Sequence, residues 1–206
     1  MYIPEHFAQD DRALLIEVMR TDNFAMLMSE GPDGEPFVTH LPMIIRDGDG
    51  SLIIEGHMAR ANPHWLYLEK AARALIVFNG PHAYVSPSLY ASRENVPTWN
   101  YVAVHAYGQI KLMHEIGDKH AAQERLIGEL EPAYKQQFDE LNPTYLHGRM
   151  SAIVAFEMAT ERLEGKFKLS QNRPMADRYT IANAFVDGND QQRAVASWMR
   201  RVSLKK

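Results

Sequence analysis

The sequence predicts a small, mostly antiparallel β-barrel with peripheral helices and a helical C-terminal extension. Three observations carry this. Short alternating segments follow one another early in the chain, joined by Gly- and Asp-rich turns. A long alternating run, Pro97 to Met113, sets Tyr101, Ala103, His105 and Tyr107 on one side and Val102, Val104 and Ala106 on the other. Helical patterns stand between groups of strands and after them, with no crossover helices between the early strands, so a parallel α/β sheet is not expected. At 206 residues the chain is long enough for one buried core. A single domain over residues 1–206 is expected, with its helical extension over about 174–206.

The elements follow in order. Asp10 to Arg20 reads as a helix capped by Asp10 or Asp11, with Leu14, Leu15 and Val18 as its apolar stripe. Phe24 to Met28 is a strand, Gly31-Pro32-Asp33-Gly34 a turn, and Phe37 to Ile45 a second strand. Asp47-Gly48-Asp49-Gly50 signals a hairpin into a third strand, Ser51 to Gly56. Asn62-Pro63 caps a short helix over His64 to Ala71. Ala74 to Phe78 and Ala83 to Ser86 read as two separate strands. Asp118 to Leu141 is helical with a break near Pro132, and Ile153 to Leu163 is the last long strand. Asp177 to Phe185 and Asn189 to Val202 close the chain as helices, for five to seven strands in all.

Composition narrows the function. The chain has no cysteine, which excludes disulfides, thiolate-held zinc, iron–sulfur clusters and a cysteine nucleophile, and fits a cytoplasmic setting. The net charge of −4 gives no overall attraction to nucleic acid, and no Arg/Lys-rich reading helix stands out. No run of about 18 apolar residues predicts a membrane span, and the start, Met1-Tyr2-Ile3-Pro4-Glu5-His6, does not read as a signal peptide. Walker-type phosphate loops, the Gly-x-Gly-x-x-Gly fingerprint, Gly-x-Ser-x-Gly and His-Glu-x-x-His are all missing.

Three clusters concentrate polar chemistry. Gly56-His57-Met58-Ala59-Arg60-Ala61-Asn62-Pro63-His64 joins a strand end to a helix start. Arg60, His57 and His64 there suit a phosphate, and Gly56 would let the backbone approach it closely. An ordinary capped connection with a surface arginine is the plainer alternative. Gly80 to Tyr90, followed by Val96-Pro97-Thr98-Trp99-Asn100-Tyr101, offers stacking faces and amides for a flat ligand, although Trp99 and Tyr101 also suit a core or a subunit interface. Leu163 to Arg173 sets Lys166, Lys168 and Arg173 beside Gln171 and Asn172. This suits anion capture, or a solvated basic turn. His40, His57, His82 and His105 fall in or beside strands. No short His-x-His spacing supports a metal or haem site, so no metal is expected.

These stretches, with Met1-Tyr2-Ile3-Pro4, Phe7 and Thr39-His40-Leu41-Pro42, resemble over nearly the whole chain the PaiB-like family of FMN-binding negative transcriptional regulators. The resemblance implies the FMN-binding split β-barrel shared with pyridoxamine-phosphate oxidases and flavin reductases. It also implies FMN as cofactor and a homodimer with flavin sites at the subunit interface. It places Thr39, His40 and Leu41 along the isoalloxazine, and His57, Arg60 and Asn62 near the phosphate. Trp99, Asn100, Lys166, Lys168 and Gln171 would reach in from the partner subunit. The implied role is repression through flavin or metabolite state. Direct DNA binding finds no support in the residues. A flavin-dependent oxidoreductase, or a haem-binding or haem-degrading protein, are the alternatives, and no catalytic base stands out.

Overall fold

A computed structural model describes residues 1–48 and 50–204, so Asp49 in the expected hairpin lies outside the described residues. Among the described residues the fold is an antiparallel eight-strand sheet decorated by seven α-helices. In chain order these are β1 (Ala8–Gln9), α1 (Arg12–Thr21), β2 (Phe24–Glu30), β3 (Pro36–Pro42), β4 (Ile44–Gly48), β5 (Ser51–Ala59), α2 (His64–Leu68), β6 (Ala74–Val85) and β7 (Thr98–Met113). There follow α3 (Ile116–Leu130), α4 (Lys135–Asp139), α5 (Pro143–Ser151), β8 (Ile153–Lys168), α6 (Met175–Val186) and α7 (Asp190–Trp198). The strand order is β3-β2-β6-β7-β8-β5-β4, with β1 paired to β8. The chain forms two compact units, one of Met1–Thr21, Asn79–His105 and Glu164–Lys206, the other of Asp22–Phe78 and Ala106–Leu163.

Several boundaries differ from expectation for identifiable reasons. The expected strand Phe37 to Ile45 is two strands. Pro42 has no N–H, and Met43 N donates to Asn23 O, so the chain leaves β2, to which β3 pairs, and joins β5 through β4. The two segments expected over Ala74 to Ser86 are one strand. Pro81, which has no N–H, lies beyond the stretch of Leu75, Ile76 and Val77 that pairs with β2. The strand expected to end at Leu163 continues to Lys168, where β1 pairs with Gly165 and Lys166. A Cβ at Gly165 would sit 2.5 Å from Gln9 O, so a glycine is what lets β1 lie this close. Pro132 breaks the long helix as expected, whereas α5, capped by Asn142 with Pro143 next in line, is a helix the sequence pattern does not predict. The last expected helix ends at Trp198 and gives way to a π-turn, Met199–Ser203.

In the unit holding the termini, Asp11 Oδ1 caps α1 by accepting from Ala13 N and Leu14 N, while Leu15, Ile16, Val18 and Met19 are buried. The ring of Phe167 meets that of Trp198 edge-on at 5.1 Å. In the other unit, Ile54 and Met58 of β5 and Val154, Phe156 and Met158 of β8 are buried. Ala122 of α3, Met113 of β7 and Ala155 of β8 form one buried apolar cluster, and Ala155 lies opposite His57 of β5.

Candidate functional site

In the unit of residues 22–78 and 106–163, the loop leaving β5 folds back against β3. Asn62 Nδ2 donates to Thr39 Oγ1 at 3.1 Å, and Asn62 Oδ1 accepts from His64 N at 3.0 Å. Thr39 Oγ1 lies 2.7 Å from His64 Nδ1, and His64 Nε2 lies 3.0 Å from Ser29 Oγ, which donates to Glu30 O. The donors run one way: Asn62 amide to Thr39, Thr39 hydroxyl to His64 Nδ1, His64 Nε2–H to Ser29, Ser29 hydroxyl to the Glu30 carbonyl. This chain of hydrogen bonds fixes the neutral tautomer. His64 is fully buried, and that burial drops its pKa from 6.5 to about 4. Thr39 and Asn62 are thus tied into a buried brace. Leu41 is also turned inward, whereas His40, on the opposite face of β3, stacks on Phe24 at 6.2 Å. Phe24 is 67% exposed, and together they form an open aromatic face on an edge strand.

His57 and Arg60 stand at the end of β5. His57 Nδ1 lies 3.0 Å from Gln123 Nε2 on α3. An amide nitrogen only donates, so His57 carries its proton on Nε2, and burial lowers its pKa. Arg60 is exposed but anchored. Its Nε donates to Ser151 O, its main-chain N donates to Ala152 O, and its carbonyl accepts from Trp65 Nε1 at 3.0 Å. Among the described residues the terminal nitrogens of Arg60 make no hydrogen bond. Gly56 serves packing. It lies directly across from Phe156, and a Cβ there would come within 2.8 Å of Phe156 Cζ and 3.0 Å of Met43 Sδ. Nearby, Glu55 is buried between Arg46 at 2.6 Å and Arg125 at 2.7 Å, an ion-pair set that ties α3 to β5.

The other expected residues lie in the unit with the termini. Asn100 is fully buried: its Oδ1 accepts from Ser170 Oγ at 3.0 Å and its Nδ2 donates to Ser170 Oγ at 2.9 Å. Gln171 folds onto its own turn, accepting from Leu169 N and donating to Phe167 O. Lys166 donates to Tyr2 O and sits between the rings of Tyr2 and Tyr101. Lys168 donates to Thr98 Oγ1 and to Trp99 O. Burial, then the charges of Lys166 and Arg173, lower the pKa of Lys168. Trp99 is half exposed beside His82 and Tyr84 and edges a cleft of about 630 Å³ lined also by Tyr101 and His105. Among the described residues no three His, Asp or Glu side chains stand together to hold a metal, and no helix is long and apolar enough to cross a membrane.

One residue of α3, Gln123, stands beside His57, and nothing in the sequence pattern signals it.

The donor set suits a phosphorylated, flat, partly polar group. It comprises an arginine with uncommitted nitrogens, a neutral imidazole N–H and an exposed aromatic face. Residues 1–162 match the family described as "Putative FMN-binding domain". The chain is 37% identical to the Protease synthase and sporulation protein PAI 2 of Bacillus subtilis, over 88% of this chain and 87% of that one. It is 29% identical to an uncharacterized protein of Emericella nidulans, over 79% and 80%. Among solved structures, it is similar in fold to the flavocytochrome Anf3 of Azotobacter vinelandii (TM-score 0.64, 17% identity, 81% of this chain and 72% of that one). It is also similar in fold to the FAD and heme binding protein of Mycobacterium smegmatis (TM-score 0.59, 17% identity, 78% and 73%). The chain therefore belongs to the PaiB-like FMN-binding domain family, with the split β-barrel fold and FMN as its cofactor.

Proposed function

We propose that this chain is a homodimeric PaiB-type negative regulator that acts through flavin or metabolite binding, with the phosphate of FMN at the β5 exit loop and the ring along β3. The observation that carries this is the Asn62–Thr39 hydrogen bond. It ties the loop bearing Arg60 to β3, the edge strand that carries His40 on its other, exposed face, and a ligand reaching over that edge would meet both. Arg60 and the Nε2–H of His57 would hold the phosphate. The exposed His40–Phe24 face would meet the ring, while Leu41 backs the strand from its buried face and Thr39 and Asn62 keep loop and strand in register. Trp99 and its cleft would serve the flavin of the partner subunit. Lys166 and Lys168 are held by carbonyl and hydroxyl oxygens, and Asn100 and Gln171 shape the turn that holds them.

Bound FMN supplies a reversible two-electron redox centre. The protein's part is binding, orientation and access, and the exposed Phe24–His40 face favours a second reading, a flavin reductase whose ring a hydride donor can reach. Titration with FMN, followed by quenching of flavin fluorescence, tests the site. Arg60→Ala should weaken binding by about 10-fold or more, the scale of a charged hydrogen bond; an unchanged affinity removes the phosphate from this loop. Oxidation of NAD(P)H by the FMN-loaded protein would move the conclusion to the reductase. A promoter gel shift that persists at moderate salt would replace the flavin-mediated reading with direct repression.

A further inference from the structure

The three helices between β7 and β8 do not close on one another. Pro132 turns the chain after α3, and α4 is only five residues long before Pro143 opens α5. What is left between them is a cleft of about 380 Å³, wholly within the unit of residues 22–78 and 106–163. Its walls are apolar: Leu126 and Ile127 of α3, Phe138 of α4, Leu146 and Met150 of α5. Leu130 and Tyr145, both about half exposed, also line it. One cation stands on this lining. Arg149, in the last turn of α5, holds its guanidinium 4.9 Å from the ring centre of Tyr145. Among the described residues its side chain makes no hydrogen bond or ion pair. Stacking on the ring fixes the guanidinium and leaves its N–H edge for a carboxylate. Glu131, also on the lining, opposes a second negative charge. Apolar walls with one oriented arginine suit an apolar monocarboxylate.

The same walls hold both cationic residues of the β5 exit. Gln123 lines the cleft and donates to His57 Nδ1 at 3.0 Å. Helix α5 ends at Ser151, whose carbonyl accepts from Arg60 Nε, and the carbonyl of Ala152 accepts from Arg60 N. An occupant between α3 and α5 thus bears on His57 through one helix and on Arg60 through the other. We infer that this cleft is an effector site for an apolar monocarboxylate, held by Arg149, and that its occupation tightens flavin binding at the β5 exit. An occupant that fixes α3 and α5 leaves His57 and Arg60 less freedom to lose when flavin arrives. The coupling is reciprocal, so FMN tightens the acid by the same factor. Binding of the acid stands on the cleft alone, and its effect on flavin rests on the reading proposed above.

Calorimetric titration of the flavin-free, full-length chain with 3-phenylpropionate, 3-phenylpropanamide and 3-phenylpropylamine reads the charge selection. The acid should bind about 10-fold tighter than the amide, the scale of a charged hydrogen bond, and the amine should bind weakest. Arg149 is exposed, so Arg149→Gln should fold as wild type does. It should lose about 10-fold in affinity for the acid and stay within about twofold for the amide. With saturating acid, FMN should bind about fivefold tighter or more, and Gln123→Leu should diminish that factor. If amide or amine binds as well as the acid, or none of the three binds, the inference falls and the flavin reading stands. If the acid binds and FMN affinity does not change, the coupling is absent and the inference falls. If the acid binds and the chain takes no FMN, the flavin reading falls, and the coupling with it, while the acid site stands. If the acid does not bind and Leu130→Asp turns a self-associating chain into a monomer, the occupant is a second copy and the inference falls.

Discussion

His64 shows how one residue can look like a ligand in the sequence and be a brace in the structure. In sequence it is one more donor in a phosphate-like loop. In the fold it links Ser29 of β2, Thr39 of β3 and Asn62 of the loop. Its depressed pKa carries a stability consequence. Above 6.5, the ordinary value, His64 is neutral both folded and unfolded. Between 6.5 and about 4 the unfolded chain binds a proton there and the folded chain does not, so stability falls as pH falls through that window. The size is up to about 3 kcal/mol. The His64→Gln protein lacks this titration. It should unfold more easily than wild type near neutral pH, and the gap between the two should shrink by up to about 3 kcal/mol on acidification to about pH 4. Urea unfolding of both proteins across that range measures it, and a gap that stays constant with pH would mean His64 is not the buried neutral group described.

At the scale of an element, β5 does two jobs by alternation. Ile54, Gly56 and Met58 go to the core, while Glu55 and His57 meet Arg125 and Gln123 of α3. Glycine at 56 makes room for Phe156 and Met43, so Gly56→Ala should destabilise the protein by about 1–3 kcal/mol through overpacking, read by urea unfolding. FMN affinity per folded molecule should change little, and a selective loss of affinity at unchanged stability would return Gly56 to a role in ligand approach. The strands and turns of this region were legible because alternation and Gly/Asp turns are local signals. The split at Met43 was not, since it depends on a hydrogen bond to Asn23 that no pattern displays. Helix α5 is hard to read from the sequence because its apolar face is weak, although Asn142-Pro143 announces its start. Within the site, Arg60 and His57 could be read from residue type alone. The placement of Gln123 could not, because what brings it to His57 is the tertiary packing of α3 around Met113, Ala122 and Ala155.

For the whole molecule, charge is the organising quantity. The chain carries −4, and many of its cations are already paired: Arg46 and Arg125 with Glu55, Lys111 with Glu157, Lys135 with Asp139, Arg201 with Glu17. Arg60 stands apart from this pattern, its side chain donating to a carbonyl, as Lys166 and Lys168 do to carbonyl and hydroxyl oxygens. A ligand that binds only the folded state stabilises it by mass action, about 2.7 kcal/mol at a hundredfold excess over Kd. For a chain of this length that corresponds to a rise in Tm of about 5–10 °C. Differential scanning calorimetry should show this rise with FMN and a markedly smaller one with riboflavin at equal concentration. If each flavin site is completed by a second subunit, the FMN-induced rise should also diminish as the protein is diluted below its dimerisation constant. An FMN-induced shift that survives full dissociation to monomers, checked by sedimentation velocity, would show that one chain builds the whole site and that Trp99 of a partner takes no part.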